Sequence, residues 1–470
     1  MPEREKISGN HKKFSAAAGE CYSPVPMKTL LLTLVLIQSF SAFAGPMLEL
    51  TNAETLSAYI EKTGFNGVVL VGLENKTLFK KAYGYRNFIT KEPLTTDDRF
   101  QIGSNTKQFV SAALLKLQEE GRLSIDKSVI EYLPQYKSKI PTEITIRDIL
   151  NHTSGITNFT DHKEFWENLD PDKILTLDDL IEFTLQYPLD FEPRTKWNYS
   201  NSGYVIAGKI IEEVTGESWH EFIKKTFLLP LQMNNTGYAE KFESVSNVYP
   251  HIKDEKGEIV PYAGLNLSWA LSAGAMYSTV DDLFKWTAIY SESHLLSEAS
   301  KADMQRPFKE NYGLGLMIQP YGQDLHINHG GRTIGFVSKI SYLKNSKISV
   351  IKLDNTDGTT GGIPELLMNF YTRGKALVVK LDRIEMPADK LQDYAGRYTA
   401  GNFEVNIFVK NEKLFLQPND GQPAYELTAN DEDSFNLGGF AGEEFIRDSN
   451  GKISGLNHYQ NGYKSQFLRQ

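Results

Sequence analysis

Ser104 stands three residues before Lys107 in Gly103-Ser104-Asn105-Thr106-Lys107, immediately ahead of a long apolar helical stretch. Residues three apart share one helix face, so this spacing lays the lysine ammonium against the serine oxygen. The partial positive charge of a helix N-terminus further favours an alkoxide there. Together these can turn an ordinary hydroxyl into a nucleophile. An isolated Ser-x-x-Lys is more often just a helix N-cap, a position that serine favours. The chain holds four other matches, at Ser124, Ser341, Ser349 and Ser449, so the tetrapeptide alone selects nothing. The surroundings of Ser104 must do so.

A serine nucleophile requires a proton acceptor, a group that positions the acceptor, and donors for the oxyanion. Downstream lies Trp197-Asn198-Tyr199-Ser200-Asn201-Ser202-Gly203. A phenol beside a cationic lysine is pushed toward phenolate, so Tyr199 can take the serine proton and return it to the leaving group. Asn201, pointing the same way in an extended stretch, can hydrogen-bond Lys107 and a substrate amide. Further on, His329-Gly330-Gly331 opens onto an expected strand, Thr333–Leu343. Glycines beside an edge strand let a substrate backbone approach closely. The backbone N–H of Arg332 would pair with that of Ser104 as an oxyanion hole, worth about 3 kcal/mol per donor.

Competing motifs read as structure. Tyr85-Arg86-Asn87 and Tyr459-Gln460-Asn461 are expected turns, and Lys62-Thr63-Gly64 ends a helix ahead of the nucleophile. His152-Thr153-Ser154-Gly155 also ends a helix and reads as a buttress of the site. His220-Glu221 begins like a zinc helix, but Lys224 stands where the second histidine belongs. His326 and His329 have no nearby carboxylate beyond Asp324, so neither a metal site nor a cofactor is expected. Trp166, Trp269 and Tyr277 read as core packing.

The elements that must position these residues come from periodicity. Helical spacing runs from Leu48 to Lys62, ended by Thr63-Gly64. Phe65–Leu73 and Leu78–Tyr85 read as a hairpin around Glu74-Asn75-Lys76. Phe109–Leu117 is apolar nearly all round, which suits a buried helix. Further helices are expected at Ile146–Leu150, Leu177–Gln186, Gly203–Thr215, Trp219–Phe227 and Asp281–Ser291. Gly335–Leu343 and Lys347–Asn355 alternate as strands. Early strands, a helical middle and late strands indicate an α+β unit whose two ends share one antiparallel sheet, flanked by helices and joined to an all-helical region. After a change of texture at 376–388, read as a linker, short alternating runs follow at Phe403–Val409, Lys413–Gln417, Tyr425–Ala429, Ser434–Leu437, Glu444–Arg447, Ile453–Leu456 and Tyr463–Leu468. Those runs make 389–470 a small all-β barrel or sandwich. The catalytic unit is thus expected over 45–375.

Residues 1–44 read as upstream sequence and a secretory signal: Met27-Lys28-Thr29, the apolar run Leu30–Ile37, and Ser41-Ala42-Phe43-Ala44 as a cleavage site, with translation starting at Met27. The apolar run is too short to span a membrane. The one cysteine, Cys21, precedes that start, so a mature chain would carry no disulfide and no thiolate. An exported protein, periplasmic or secreted, with no stable membrane anchor after cleavage, is the expectation. Over 470 residues, 40% are apolar and 23% charged, ample for a large core, and the net charge of −9 disfavours a nucleic-acid partner. The partner expected is a small-molecule or short-peptide substrate, cell-wall fragments included.

Ser104-x-x-Lys107, then Tyr199-x-Asn201, then His329-x-Gly331, in that order, resembles the serine hydrolase superfamily of class C β-lactamases, D,D-peptidases, D-aminopeptidases and related esterases. Phe100-Gln101-Ile102-Gly103, Leu150–Ile156, Ser272–Thr279 and Tyr312-Gly313-Leu314-Gly315 also match, so the resemblance spans about Leu48 to Phe370. It implies that Ser104 is acylated, that Lys107 and Tyr199 form the base pair, and that His329 replaces the usual lysine of the third motif. The tail from about Asp389 resembles the lipocalin-like barrel appended to some of these hydrolases. Two departures bear on substrate. The family's Lys-Thr/Ser-Gly supplies a cation and a hydroxyl for a substrate carboxylate. Here His329 is about neutral at pH 7, and Gly330 has no hydroxyl. An amide- or ester-cleaving peptidase or esterase fits better than a dedicated β-lactamase, with a slow-turnover penicillin-recognising protein as a further alternative.

Overall fold

The computed structural model describes residues 47–470 apart from 171–172, 254–258, 263–265, 357–361, 374–376, 381–385, 401–402, 419–423, 438–440 and 461–462. The expected signal segment and Cys21 lie outside the described residues. A six-stranded antiparallel sheet runs in the order Met317–Tyr321, Asp324–Thr333, Phe336–Leu343, Ile348–Asp354, Gly67–Leu73, Lys76–Tyr83. The late strands thus pair with the early ones: Ile348–Asp354 matches Gly67–Leu73 residue for residue, from Ile348↔Leu73 to Asp354↔Gly67. Both strands are buried on both faces except at Leu73, which explains why their apolar runs barely alternate. Lys76–Tyr83 is the outer edge, and Lys76, Lys80 and Lys81 there discourage pairing with another chain.

Helices cover the two faces. On one, Leu56 and Ile60 from Ala53–Lys62 and Leu366 and Leu367 from Ile363–Arg373 pack on Val69, Val71 and Val350. On the other lies Thr106–Glu119, whose Phe109, Val110, Ala112 to Leu115 and Leu117 are all buried. The first helix begins later than its periodicity predicts. Met47–Leu50 is a strand, and the Asn52 side chain accepts from the backbone N–H groups of Glu54 and Thr55 to start the helix at Ala53. That strand pairs with Leu377–Lys380, so part of the segment read as a linker belongs to a small sheet.

The α+β unit is followed by a closed, eight-stranded antiparallel barrel. Gly396–Ala400 pairs with Phe403–Lys410 on one side and with Tyr463–Arg469 on the other, which closes the ring. This strand escaped the sequence reading because it is short and polar around a single inward residue, the fully buried Tyr398. Tyr398, Ile407, Leu414, Phe435, Phe445 and Leu456 fill the interior, as expected for a barrel of this size.

Candidate active site

Ser104 sits in the single 3₁₀ turn Gly103–Asn105 that feeds the buried helix Thr106–Glu119. The turn is fixed to the sheet from below. Ser338 Oγ donates to the Ile102 carbonyl at 2.7 Å, and Asn105 Nδ2 donates to Ser338 Oγ at 2.7 Å. Two glycines permit the close approach. Gly103 takes φ +52°, and a Cβ there would lie 2.5 Å from the Arg332 nitrogen; at Gly331 it would lie 1.9 Å from the Ile102 carbonyl oxygen.

The Lys107 side chain is fully buried. Its Nζ donates to Ser104 Oγ at 3.0 Å, Asn201 Oδ1 at 2.7 Å and the Ala273 carbonyl at 2.7 Å. It also lies 4.8 Å from the centre of the Tyr199 ring, within cation–π reach. Ser104, Lys107, Tyr199 and Asn201 are therefore gathered around one ammonium. Asn201 differs from its expected setting. It is the first residue of helix Asn201–Thr215 instead of part of an extended stretch, and its Nδ2 donates to Thr160 Oγ1 at 3.1 Å. Its Oδ1 holds Lys107 in place, and its second Nδ2–H is the donor for the substrate contact that its position in the sequence led us to expect.

His329, Gly330 and Gly331 lie inside a strand, Asp324–Thr333, and not at the mouth of the following one; Thr333 and Phe336 close a two-residue turn between the two. In antiparallel alternation that register turns the Arg332 N–H away from Phe336–Leu343, and the same nitrogen lies against Gly103. It therefore faces the turn Gly103–Asn105. The His329 ring is buried and locked. Tyr312 Oη donates to Nε2 at 2.9 Å, and Nδ1–H donates to the Gly330 carbonyl at 2.5 Å. Burial, with the Lys107 charge adding to it, pushes its pKa down to about 3, so the ring is neutral at pH 7. Gly330 has room, since a Cβ there would meet only the Ser338 carbonyl at 3.9 Å.

Ala273, Thr160, Ser338 and Tyr312 entered the site unannounced. The first contributes a backbone carbonyl within a segment whose resemblance was visible, and the next two are single hydroxyls without a motif. Tyr312 lies in a segment whose resemblance was visible, but its bond to His329 was not.

With that geometry in place, comparison with known proteins gives the class. The Beta-lactamase family model matches residues 52–366, and the chain belongs to that family. Fold and site together define a serine hydrolase of the β-lactamase and penicillin-binding-protein superfamily. A second model, a domain of unknown function (DUF3471), matches residues 381–469. Penicillin-binding protein 4* of Bacillus subtilis is 29% identical over 416 residues, covering 80% of this chain and 89% of its own. Among solved structures, the octameric penicillin-binding protein homologue from Pyrococcus abyssi superposes with a TM-score of 0.62 at 24% identity, covering 88% of this chain and 98% of that one. A D-stereospecific amidohydrolase from Streptomyces sp. gives 0.58 at 25%, covering 69% and 100%.

Proposed function

We propose that the protein is an exported serine hydrolase that cleaves amide or ester bonds of small substrates, D-amino-acid peptides and amides foremost, through an acyl-enzyme. The observation that carries this reading is the buried Lys107 ammonium 3.0 Å from Ser104 Oγ. Ser104 Oγ attacks the substrate carbonyl carbon, and its proton passes to the Tyr199 phenolate beside the Lys107 ammonium and on to the departing amine or alcohol. Water, deprotonated by Tyr199, then cleaves the acyl–Ser104 ester, and the proton returns to Ser104 Oγ. The N–H groups of Ser104 and Arg332 hold the oxyanion. A neutral, locked His329 offers no cation to a substrate carboxylate, which favours neutral amides and esters over β-lactams. The likeness to a D-stereospecific amidohydrolase supports the same substrate class, and the segment Met27–Ala44 supports export. The likeness to penicillin-binding protein 4* favours one second reading, a protein that is acylated by penicillin and releases it slowly.

Side-by-side assays of a p-nitrophenyl ester, a D-alanyl p-nitroanilide and a cephalosporin test the proposal, with Ser104→Ala as the blank. Turnover of the ester or anilide in excess of the cephalosporin, abolished in Ser104→Ala, is expected. Fast cephalosporin hydrolysis would make the protein a β-lactamase instead.

A further inference from the structure

One residue outside the reacting set grips the general base from three directions. His152 ends helix Ile146–Leu150 and its ring is buried. Its backbone carbonyl accepts from Asn198 N–H at 3.1 Å, and its Nδ1 accepts from Ser200 N–H at 3.1 Å. Both donors are the immediate neighbours of Tyr199. Its ring also lies on the Tyr199 ring, with centroids 4.3 Å apart at 40°. To reach both backbone groups, His152 takes φ +63°, a left-handed conformation that is costly for a residue with a Cβ. The neighbouring links tie the same segment down further: Arg194 N–H to the Thr153 carbonyl at 2.7 Å, and Asp190 N–H to the Gly155 carbonyl at 2.8 Å.

A ring nitrogen that accepts an N–H bond carries no proton of its own, so the His152 proton is on Nε2. Among the described residues that buried Nε2 has no hydrogen-bond partner; it lies in a box made by Trp197, Tyr199, Tyr204 and Tyr312. A packing role would be filled better by an apolar ring, which leaves no buried donor unsatisfied. The polar atom that has a partner is the one that holds Ser200.

We infer that His152 is a positioning residue for catalysis, which fixes the Tyr199 phenol over Lys107 by bonding both flanking backbone amides and packing against its ring. The inference rests on the proposed serine-hydrolase reading. The interaction bears on proton transfer and leaves substrate binding untouched, so its loss lowers kcat and spares KM. Displacement of a reacting group by about 1 Å costs about 100-fold in rate.

The test compares His152→Asn, His152→Gln and His152→Ala, with Ser104→Ala in parallel and thermal unfolding of each. The Asn Oδ1 falls where Nδ1 was and can accept from Ser200, whereas the Gln Oε1 falls where Nε2 was. The expected result is a fall of about 100-fold in kcat for Ala and Gln with KM within a few-fold, and recovery of most of it in Asn. Wild-type kcat in Gln or Ala overturns the inference. So does an equal loss in Asn and Gln, which would make the residue a packing group. Should Ala fail to fold, the Asn–Gln pair alone decides. Turnover retained in Ser104→Ala would sink the hydrolase reading itself, a result separate from any of these.

Discussion

Two buried groups able to carry charge lie in two very different settings. Lys107, in the catalytic unit, donates to the neutral oxygens of Ser104, Asn201 and Ala273. Glu443, inside the barrel, is 1% exposed and takes a 2.6 Å bond from the His458 ring. The first is surrounded by dipoles that fix its position, and one of them is the hydroxyl of Ser104, the nucleophile of the proposed function. The second is an acid set against a base in an apolar interior, an arrangement whose effect is on stability. The difference teaches that burial of charge marks a site only where the group that meets the charge is itself a reagent.

Three sets of measurements would break or sharpen that comparison. Removing the ammonium in Lys107→Ala should cost 10³-fold or more in kcat, on the order of what loss of one member of the catalytic set costs in other serine hydrolases, while Glu443→Gln should leave kcat within a factor of about two. A matching loss in Glu443→Gln would tie the barrel to the chemistry and end the contrast.

A smaller effect separates the neighbouring glycines of the third motif. Gly331→Ala drives a Cβ into the Ile102 carbonyl and should shift the nucleophile turn, at a cost of about 100-fold in kcat. Gly330→Ala meets only ordinary contact distances and should fold and unfold like the wild type. Equal behaviour of the two in steady-state kinetics would mean that the turn is not seated by this contact.

The smallest effect is in pH dependence, where the two regions should respond in opposite senses. Burial holds the folded His329 pKa near 3, below its unfolded value of about 6.5. The unfolded chain therefore binds a proton that the folded chain refuses, and this contribution to stability is lost as pH falls from about 6.5, by up to about 1.4 kcal/mol per pH unit. His152, pushed down by burial and then by Lys107, acts in the same direction. Burial raises the Glu443 pKa, so its folded form keeps a proton that the unfolded chain gives up, and its contribution is lost as pH rises above the usual carboxylate range. Urea midpoints from pH 5 to pH 8 should show Glu443→Gln gaining on the wild type toward high pH; parallel curves would contradict the assignment.

Much of this was legible in the sequence. Ser104, Lys107, Tyr199 and the third motif follow from residue types and order, because each chemical role admits few side chains. The hairpin at Gly67–Tyr83 and helix Ile146–Leu150 follow from periodicity. Other features were not legible because the causes are long-range. Ala273 acts through a carbonyl that any residue has, and Ser338 is brought under Ile102 only by sheet register. Gly396–Ala400 has too few apolar residues to announce a strand. Asn201 was placed in an extended stretch because Ser200 and Ser202 are both residue types that favour an N-cap, and the helix starts from the earlier one.

The most direct test of the central claim is to quench the enzyme in acid during turnover of the p-nitrophenyl ester and map the acyl group by mass spectrometry. The account predicts a mass increase equal to the acyl group on the peptide that carries Ser104, absent in Ser104→Ala. The acyl group on any other residue would contradict it.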